Sequence, residues 1–406
     1  MSVELSNSNE PANNVLEQPN QISYWGGVFA MTMCAFALVA SEFMPLSLLT
    51  PIAVDFSVTE GLAGQAISIA GAFALITSLL ISSAVGSINR KTILLGMTAL
   101  MAISGAIIGL APNYKIYMVG RALIGISIGG FWTMSAATAI RLVPKEKVTK
   151  ALAIVNGGNA LATVVAAPIG SYLGEVVGWR VAFLCLIPIA VIAFVWQLFS
   201  LPNMQVEQTA TKSKTAFYLF KQPAIAFGLF GASFFFMGQF TLFTYLRPFL
   251  ETVTHVHGHQ ISYILLLIGI MGFLGTIVIG SFLNRGFYKT LVSLPLIMAA
   301  IAVMLILYGN SLCISIVLLA IWGLVATAAP VGWWTWVAHT MPEDAEAGGG
   351  MLVAIAQFAI GLGSFLGGIM YDFNGFESTF LLSVAMLMIA AFMTIKTALL
   401  TKRHQP

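Results

Sequence analysis

Two ionisable residues of this chain stand where ionisable residues are energetically unwelcome. Arg121 lies inside the apolar run Ile116 to Ile140, IYMVGRALIGISIGGFWTMSAATAI, and Glu42 lies inside another, Tyr24 to Leu49. Of fifteen acidic residues only Glu42 occupies so long an apolar stretch; the other fourteen fall in tails, loops or run ends. A charge within a bilayer-spanning helix costs about 2.5–3.5 kcal/mol on insertion scales, so such residues usually face a water-filled path and carry function. The chemistry open to this pair is reversible protonation. Partial drying and a neighbouring guanidinium push a carboxyl group in opposite senses, so a change in access or separation switches its charge. At 1.5 Å per residue, Glu42 is roughly 13 Å from the break at Pro51 and Arg121 roughly 9 Å from the break at Lys115, at similar depth. The sequence therefore predicts a Glu42–Arg121 proton-coupling pair, with a static ion pair between two helices as the bland alternative. Pro45 disturbs the helix beside Glu42, which suits a carboxyl facing a cavity instead of lipid.

The elements that position the pair follow from composition. Hydrophobic residues make up 59% of the chain and charged ones 8%, with a mean hydropathy of +0.93; soluble domains carry about 25% charge. The expected fold class is all-α integral membrane, with twelve transmembrane helices in two pseudo-symmetric six-helix bundles. The apolar runs are 24–50, 61–84, 92–111, 116–140, 149–174, 178–200, 223–250, 260–284, 289–308, 312–338, 347–371 and 377–398. Residues 1–23 read as a disordered cytoplasmic tail, 24–200 as the N-terminal bundle and 201–222 as a basic cytoplasmic linker. Residues 223–398 form the C-terminal bundle and 399–406 a cytoplasmic tail. One set of loops and ends holds fourteen Lys and Arg residues and the other three, which places both termini in the cytoplasm.

The halves echo each other. Gly130-Phe131-Trp132-Thr133 matches Gly332-Trp333-Trp334-Thr335, and Gly170-Ser171-Tyr172-Leu173-Gly174 matches Gly363-Ser364-Phe365-Leu366-Gly367. Repeated six-helix halves are a signature of secondary transporters, whose sites lie between the repeats.

At this point the residues resemble the major facilitator superfamily, and within it the twelve-span drug/proton antiporter family. Arg121 with Gly125 and Gly129-Gly130 resembles that family's RxxxG proton-coupling motif, and Gly158, Pro168, Gly170 and Gly174 resemble its glycine-rich antiporter motif. The loop that in the family reads GxxxDRxGRR departs here: Gly86-Ser87-Ile88-Asn89-Arg90-Lys91 is shortened and carries asparagine for aspartate. The resemblance implies a weaker charge-based latch on that side. Glu42-Phe43-Met44-Pro45-Leu46, Gly130-Phe131-Trp132-Thr133-Met134-Ser135 and Thr244-Tyr245-Leu246-Arg247-Pro248 resemble the bacterial purine ribonucleoside efflux pumps. That likeness implies export of inosine- or guanosine-type solutes in exchange for protons across the bacterial inner membrane.

Charge restricts the cargo independently. A carrier of phosphate esters would need more fixed positive charge than Arg121, and a dication exporter more carboxylate than Glu42, so the expected cargo is neutral or weakly charged, flat or amphipathic. Candidate contacts are Trp132, Ser135, Asn156 and Asn159 in the first half and Gln239, Tyr245, Trp334 and Gln357 in the second. Rings stack on a flat base and buried amides supply paired donors and acceptors, although tryptophans also anchor at interfaces and amides also join helices. Arg247 reads as a gating or structural residue. His255, His257 and His259 read as a solvated loop, and Cys34, Cys185 and Cys313 as small core side chains. No cofactor, metal or nucleic-acid partner is expected; the partners are protons, lipid and a small neutral solute, handled by a monomer. A broader drug or sugar and metabolite exporter is the alternative. A membrane enzyme would need a catalytic cluster within the spans, and a receptor or scaffold would need a soluble reporting domain; neither is evident in the sequence.

Overall fold

The computed structural model describes residues 23–85, 88–204, 216–341 and 345–403. Among them are helices and no strands. The first half comprises α1 (Trp25–Ser47), α2 (Leu49–Phe56), α3 (Glu60–Val85), α4 (Arg90–Gly109), α5 (Tyr114–Leu142), α6 (Val148–Val176), α7 (Trp179–Leu184) and α8 (Leu186–Ser200). The second comprises α9 (Pro223–Phe243), α10 (Leu246–Thr252), α11 (His259–Arg285), α12 (Phe287–Tyr308), α13 (Leu312–Thr340) and α14 (Ala345–Arg403). The short helices α2, α7 and α10 continue or begin the spans of α1, α8 and α9. α14 holds the last two spans: at Gly375 the backbone turns through φ 73° and ψ −163°, a region essentially restricted to glycine. Twelve crossings result. The expected tail 1–23 and most of the linker, 205–215, lie outside the described residues. The expected C-terminal tail is shorter than 399–406, because α14 continues to Arg403. Its final turns, Thr397 to Arg403, are helix-forming and end on basic residues, which favour a helix C-terminus.

In lipid, helices gain little from apolar burial against each other, so close backbone approach matters more. The antiporter-motif glycines of α6 provide it against α1. A side chain at Gly158 would meet the Thr32 carbonyl, one at Gly170 would lie 2.8 Å from Ser47 Oγ, and one at Gly174 would overlap Leu48. Pro168 lies within α6 and leaves the Val164 carbonyl without its helical donor; that carbonyl packs on Gly269 of α11. Each half has its own core, around Met31, Leu38, Ile124 and Phe131 in the first and Leu229, Phe235, Trp322 and Trp336 in the second.

The halves meet where α3 packs on α14 and α6 on α11. Let the side bearing the first and last helix ends be the terminal side. On the opposite side, polar links tie the halves together. The Asp372 carboxylate accepts from Thr59 Oγ1 at 2.6 Å and from Gly61 N at 2.9 Å, while Thr59 itself caps α3 by accepting from Leu62 N. A carboxylate from one half thus sits at the positive end of a helix in the other. Arg247 binds Glu251 at 2.7 Å and donates to the Ser47 carbonyl across the seam. α3 is enclosed around Gly61 to Ala70 but exposed at Ile76, Leu79 and Leu80, so its cover is lost towards the terminal side.

Candidate proton and cargo site

Pro45 sits within α1 near its end. Lacking an N–H, it leaves the carbonyl four residues earlier, that of Ser41, without a helical donor. Arg121 supplies one. Its Nη1 donates to Ser41 O at 2.8 Å, its Nη2 to Glu42 O at 3.4 Å, and its Nε to Ala66 O at 3.0 Å. The guanidinium is fully buried and joins α1, α3 and α5. This corrects the expected side-chain pairing: the planar fork grips backbone carbonyls, and Glu42 belongs to none of the ion pairs among the described residues. The two charges still interact through space.

The Glu42 carboxyl has a different neighbour, the side chain of Gln357 on α14. Glu42 is 6% exposed and Gln357 8%, and the Gln357 Oε1 atom has no hydrogen-bond partner in the protein. The two residues come from opposite halves. Aligning Pro51 with Pro248, each just past the break in its span, sets Glu42 opposite Gln239 and Phe43 opposite Phe240. The two rings stack on each other, centroids 5.8 Å apart and planes 22° apart. Gln239 also buries an unpartnered Oε1. At this depth of the seam are thus the Glu42 carboxyl, the Gln357 amide oxygen lacking a donor, and a stacked aromatic pair, with Gln239 next in sequence to Phe240. Such a set suits a flat solute with N–H or O–H donors.

The remaining candidates divide. Trp132 is half-buried, edge-on to Phe131 at 5.6 Å, and packs on the same small cluster of Val39, Ala40, Ala162 and Ala166 that Phe43 packs on. Ser135 turns back to the Trp132 carbonyl at 3.1 Å. Asn156 is exposed and donates to Leu152 O at 3.0 Å, and Asn159 is half-buried. Two rings are not placed as expected. Tyr245 is fully buried; its hydroxyl donates to Ser364 O at 2.9 Å, its ring stacks on Tyr371 at 5.2 Å, and its tip fits against Gly64 of α3. It seals the seam instead of lining a cavity. Trp334 is 47% exposed and lies over Gly349 near the terminal side, because its position on α13 points outward while Trp333 and Trp336 turn into the core. His259 is not simply solvated: it contacts Glu175 of the other half at 3.0 Å and the Tyr172 ring at 5.3 Å.

Asn89, where the family pattern has aspartate, accepts from Lys91 N at 2.9 Å and from Met204 N at 3.1 Å. It caps α4 and fastens the start of the linker to the first half. Sequence reasoning missed the Ser41 and Ala66 carbonyls as acceptors for the Arg121 guanidinium, and the Phe43–Phe240 stack. Proline four residues after Ser41 was the available signal for the first, and the Pro51–Pro248 register for the second.

This arrangement, two six-helix halves around a seam holding one buried carboxyl, is that of a membrane transporter, and the chain belongs to the Major Facilitator Superfamily, whose family model matches residues 31–350. It is 34% identical to the purine ribonucleoside efflux pump NepI of Escherichia coli K12, over 94% of this chain and 95% of that protein. It is 60% identical to a Pseudomonas aeruginosa protein named transcription regulatory protein OpdE, over 94% and 96% of the two chains. Among solved structures, the inward-facing, unoccupied bacterial homologue of the human lysosomal transporter Spinster superposes with a TM-score of 0.75 at 16% identity, covering 94% of this chain and 98% of that one. The nucleoside transporter NupG superposes at 0.71 and 16% identity, covering 92% and 98%. These two share the fold.

Proposed function

We propose that this chain is a proton antiporter that exports purine ribonucleosides across the bacterial inner membrane, with both termini in the cytoplasm. The observation that carries the reading is the seam: a carboxyl on a proline-broken helix, one amide from the other half beside it with its oxygen unpartnered, and a stacked ring pair. The similarity to NepI over nearly the whole chain supports the cargo. Charge supports it too, since the Arg121 guanidinium is fully buried and held by three backbone carbonyls, which does not suit it to receive a phosphate. On this orientation the sealed side is periplasmic and the state is inward-facing.

One proton entering for each neutral nucleoside leaving moves one positive charge inward per cycle. Export then responds to about 1.4 kcal/mol per pH unit and about 2.3 kcal/mol per 100 mV. The test is inosine accumulation in proteoliposomes under a potassium-diffusion potential with no pH gradient, beside guanosine and a cationic dye. Voltage-driven inosine accumulation is expected; accumulation blind to voltage would refute the one-proton, neutral-cargo scheme. The name of the Pseudomonas aeruginosa relative favours a second reading, in which transport changes the internal level of a solute that a regulator senses. Transcript profiles of wild type and the transport-dead Glu42→Gln variant separate the two: altered transcripts in the variant support it, unchanged ones exclude it.

A further inference from the structure

The Gln357 amide has two faces; it neighbours Glu42, and its oxygen is buried without a partner. A carboxylate can only accept hydrogen bonds, so the Gln357 NH2 group is the face turned to an ionised Glu42. Its Oε1 is then the face left buried without a donor. An amide cannot rotate one face without rotating the other. A protonated Glu42 has an O–H to donate, and the partner it selects on Gln357 is Oε1.

We propose that Gln357 transmits the protonation state of Glu42 to the cargo by reversing its amide, so that proton and cargo exclude each other through one side chain of the opposite half. With Glu42 ionised, NH2 faces the carboxylate and Oε1 accepts an N–H or O–H from the cargo. When a proton arrives from water and binds Glu42, the acid O–H takes Oε1, and the NH2 now presented opposes the cargo's donor. Proton departure restores the first state. Cargo that needs an acceptor at this point therefore binds the ionised form. The inference rests on the reading of the seam as the cargo site.

The groups facing Glu42 are few. α5 brings Arg121, with Tyr117 one turn away acting on that arginine; α10 brings Arg247, already bound to Glu251 and Ser47. α8 and α9 contain no ionisable residue, and those of α3, α4 and α6 lie towards the helix ends. On α14, Tyr371 and Asp372 lie four turns from Gln357, at the sealed side, and Glu377 and Lys396 lie beyond Gly375. Gln357 is thus the neutral group placed to convey a change at Glu42.

Two measurements test this on the full-length protein. In the empty protein, infrared difference spectra follow the protonated-carboxyl band of Glu42, assigned by its loss in Glu42→Gln. Replacing Gln357 by Met, close in size but without donor or acceptor, is expected to shift the pH at which the band appears by roughly 0.5–1 unit. In binding titrations with inosine, wild type is expected to lose about tenfold in affinity per pH unit on acidification below that point, and Gln357→Met to bind more weakly with a flat pH profile. Should Gln357→Met fail to fold, the same pair of measurements is made on Gln357→Ser. An unshifted band, or a variant that keeps the wild-type pH slope, overturns the proposal. An infrared shift with no inosine binding by wild type at any pH overturns the nucleoside reading while supporting the Glu42–Gln357 link.

Discussion

The two halves of the molecule are built on one plan and filled with different chemistry. Where the first half has Glu42, the second has Gln239; where the first has Arg121, the register through Trp132 and Trp334 gives the second Gly323. A side chain at Gly323 would overlap the Ile268 carbonyl, so the second half closes by direct backbone approach what the first closes with a guanidinium. Both broken spans end on a proline-marked second piece, α2 and α10, yet only α1 has Pro45 ahead of its break. The difference is one of chemistry: the first half holds a buried carboxyl, and the second holds neutral amides at Gln239 and Gln357. Phe43 and Phe240, identical in type and register, mark where the plan is still symmetric.

That comparison can be broken at its charged end. Glu42→Gln makes the two halves alike, and gradient-driven inosine transport in proteoliposomes is expected to fall by about two orders of magnitude; a wild-type rate would show that the asymmetry carries no proton. Arg121→Lys keeps the charge but cannot span three carbonyls. It is expected to orphan at least one of them and lower stability by about 2 kcal/mol, read as an earlier unfolding midpoint in detergent, whereas an unchanged midpoint would mean water replaces the fork. Gln239→Ala removes a neutral acceptor and should weaken inosine binding about tenfold with the pH slope retained. A lost slope would instead place Gln239 in the proton pathway. Asp372→Asn is the mildest change, since asparagine keeps one acceptor for Thr59 and Gly61. Labelling of a cysteine placed at the neighbouring exposed Leu62 should quicken about threefold as the seam loosens, and no change would show that packing alone holds it.

Most of the plan was legible because period and length are local properties. Twelve apolar runs and the paired Gly-x-Trp-Thr stretches follow from counting, and the correspondence of the runs with the helices is close. The site was legible in its members more than in its bonds. Glu42 and Arg121 stood out by charge, and charge alone then suggested that they pair. The deciding fact was a missing N–H at Pro45, which makes a carbonyl and not a carboxylate the stronger claimant for the guanidinium. Gln357 lies 315 positions from Glu42, and no local pattern brings them together; only the packing of α3 on α14 does. Tyr245 misled for a related reason, since an aromatic residue beside an arginine and a proline reads as a binding element when its burial depends on Gly64, in another half of the chain.

The carbonyls that receive Arg121 also bear on how the protein is made. Ser41, Glu42 and Ala66 all precede residue 121, and synthesis runs from the N-terminus. When the fourth span emerges from the ribosome, the cradle for its guanidinium is already in the bilayer, so the insertion penalty of about 2.5–3.5 kcal/mol for a lone arginine is met by spans that arrived first. Had the same arginine stood in the opening span, it would have entered lipid before any acceptor existed.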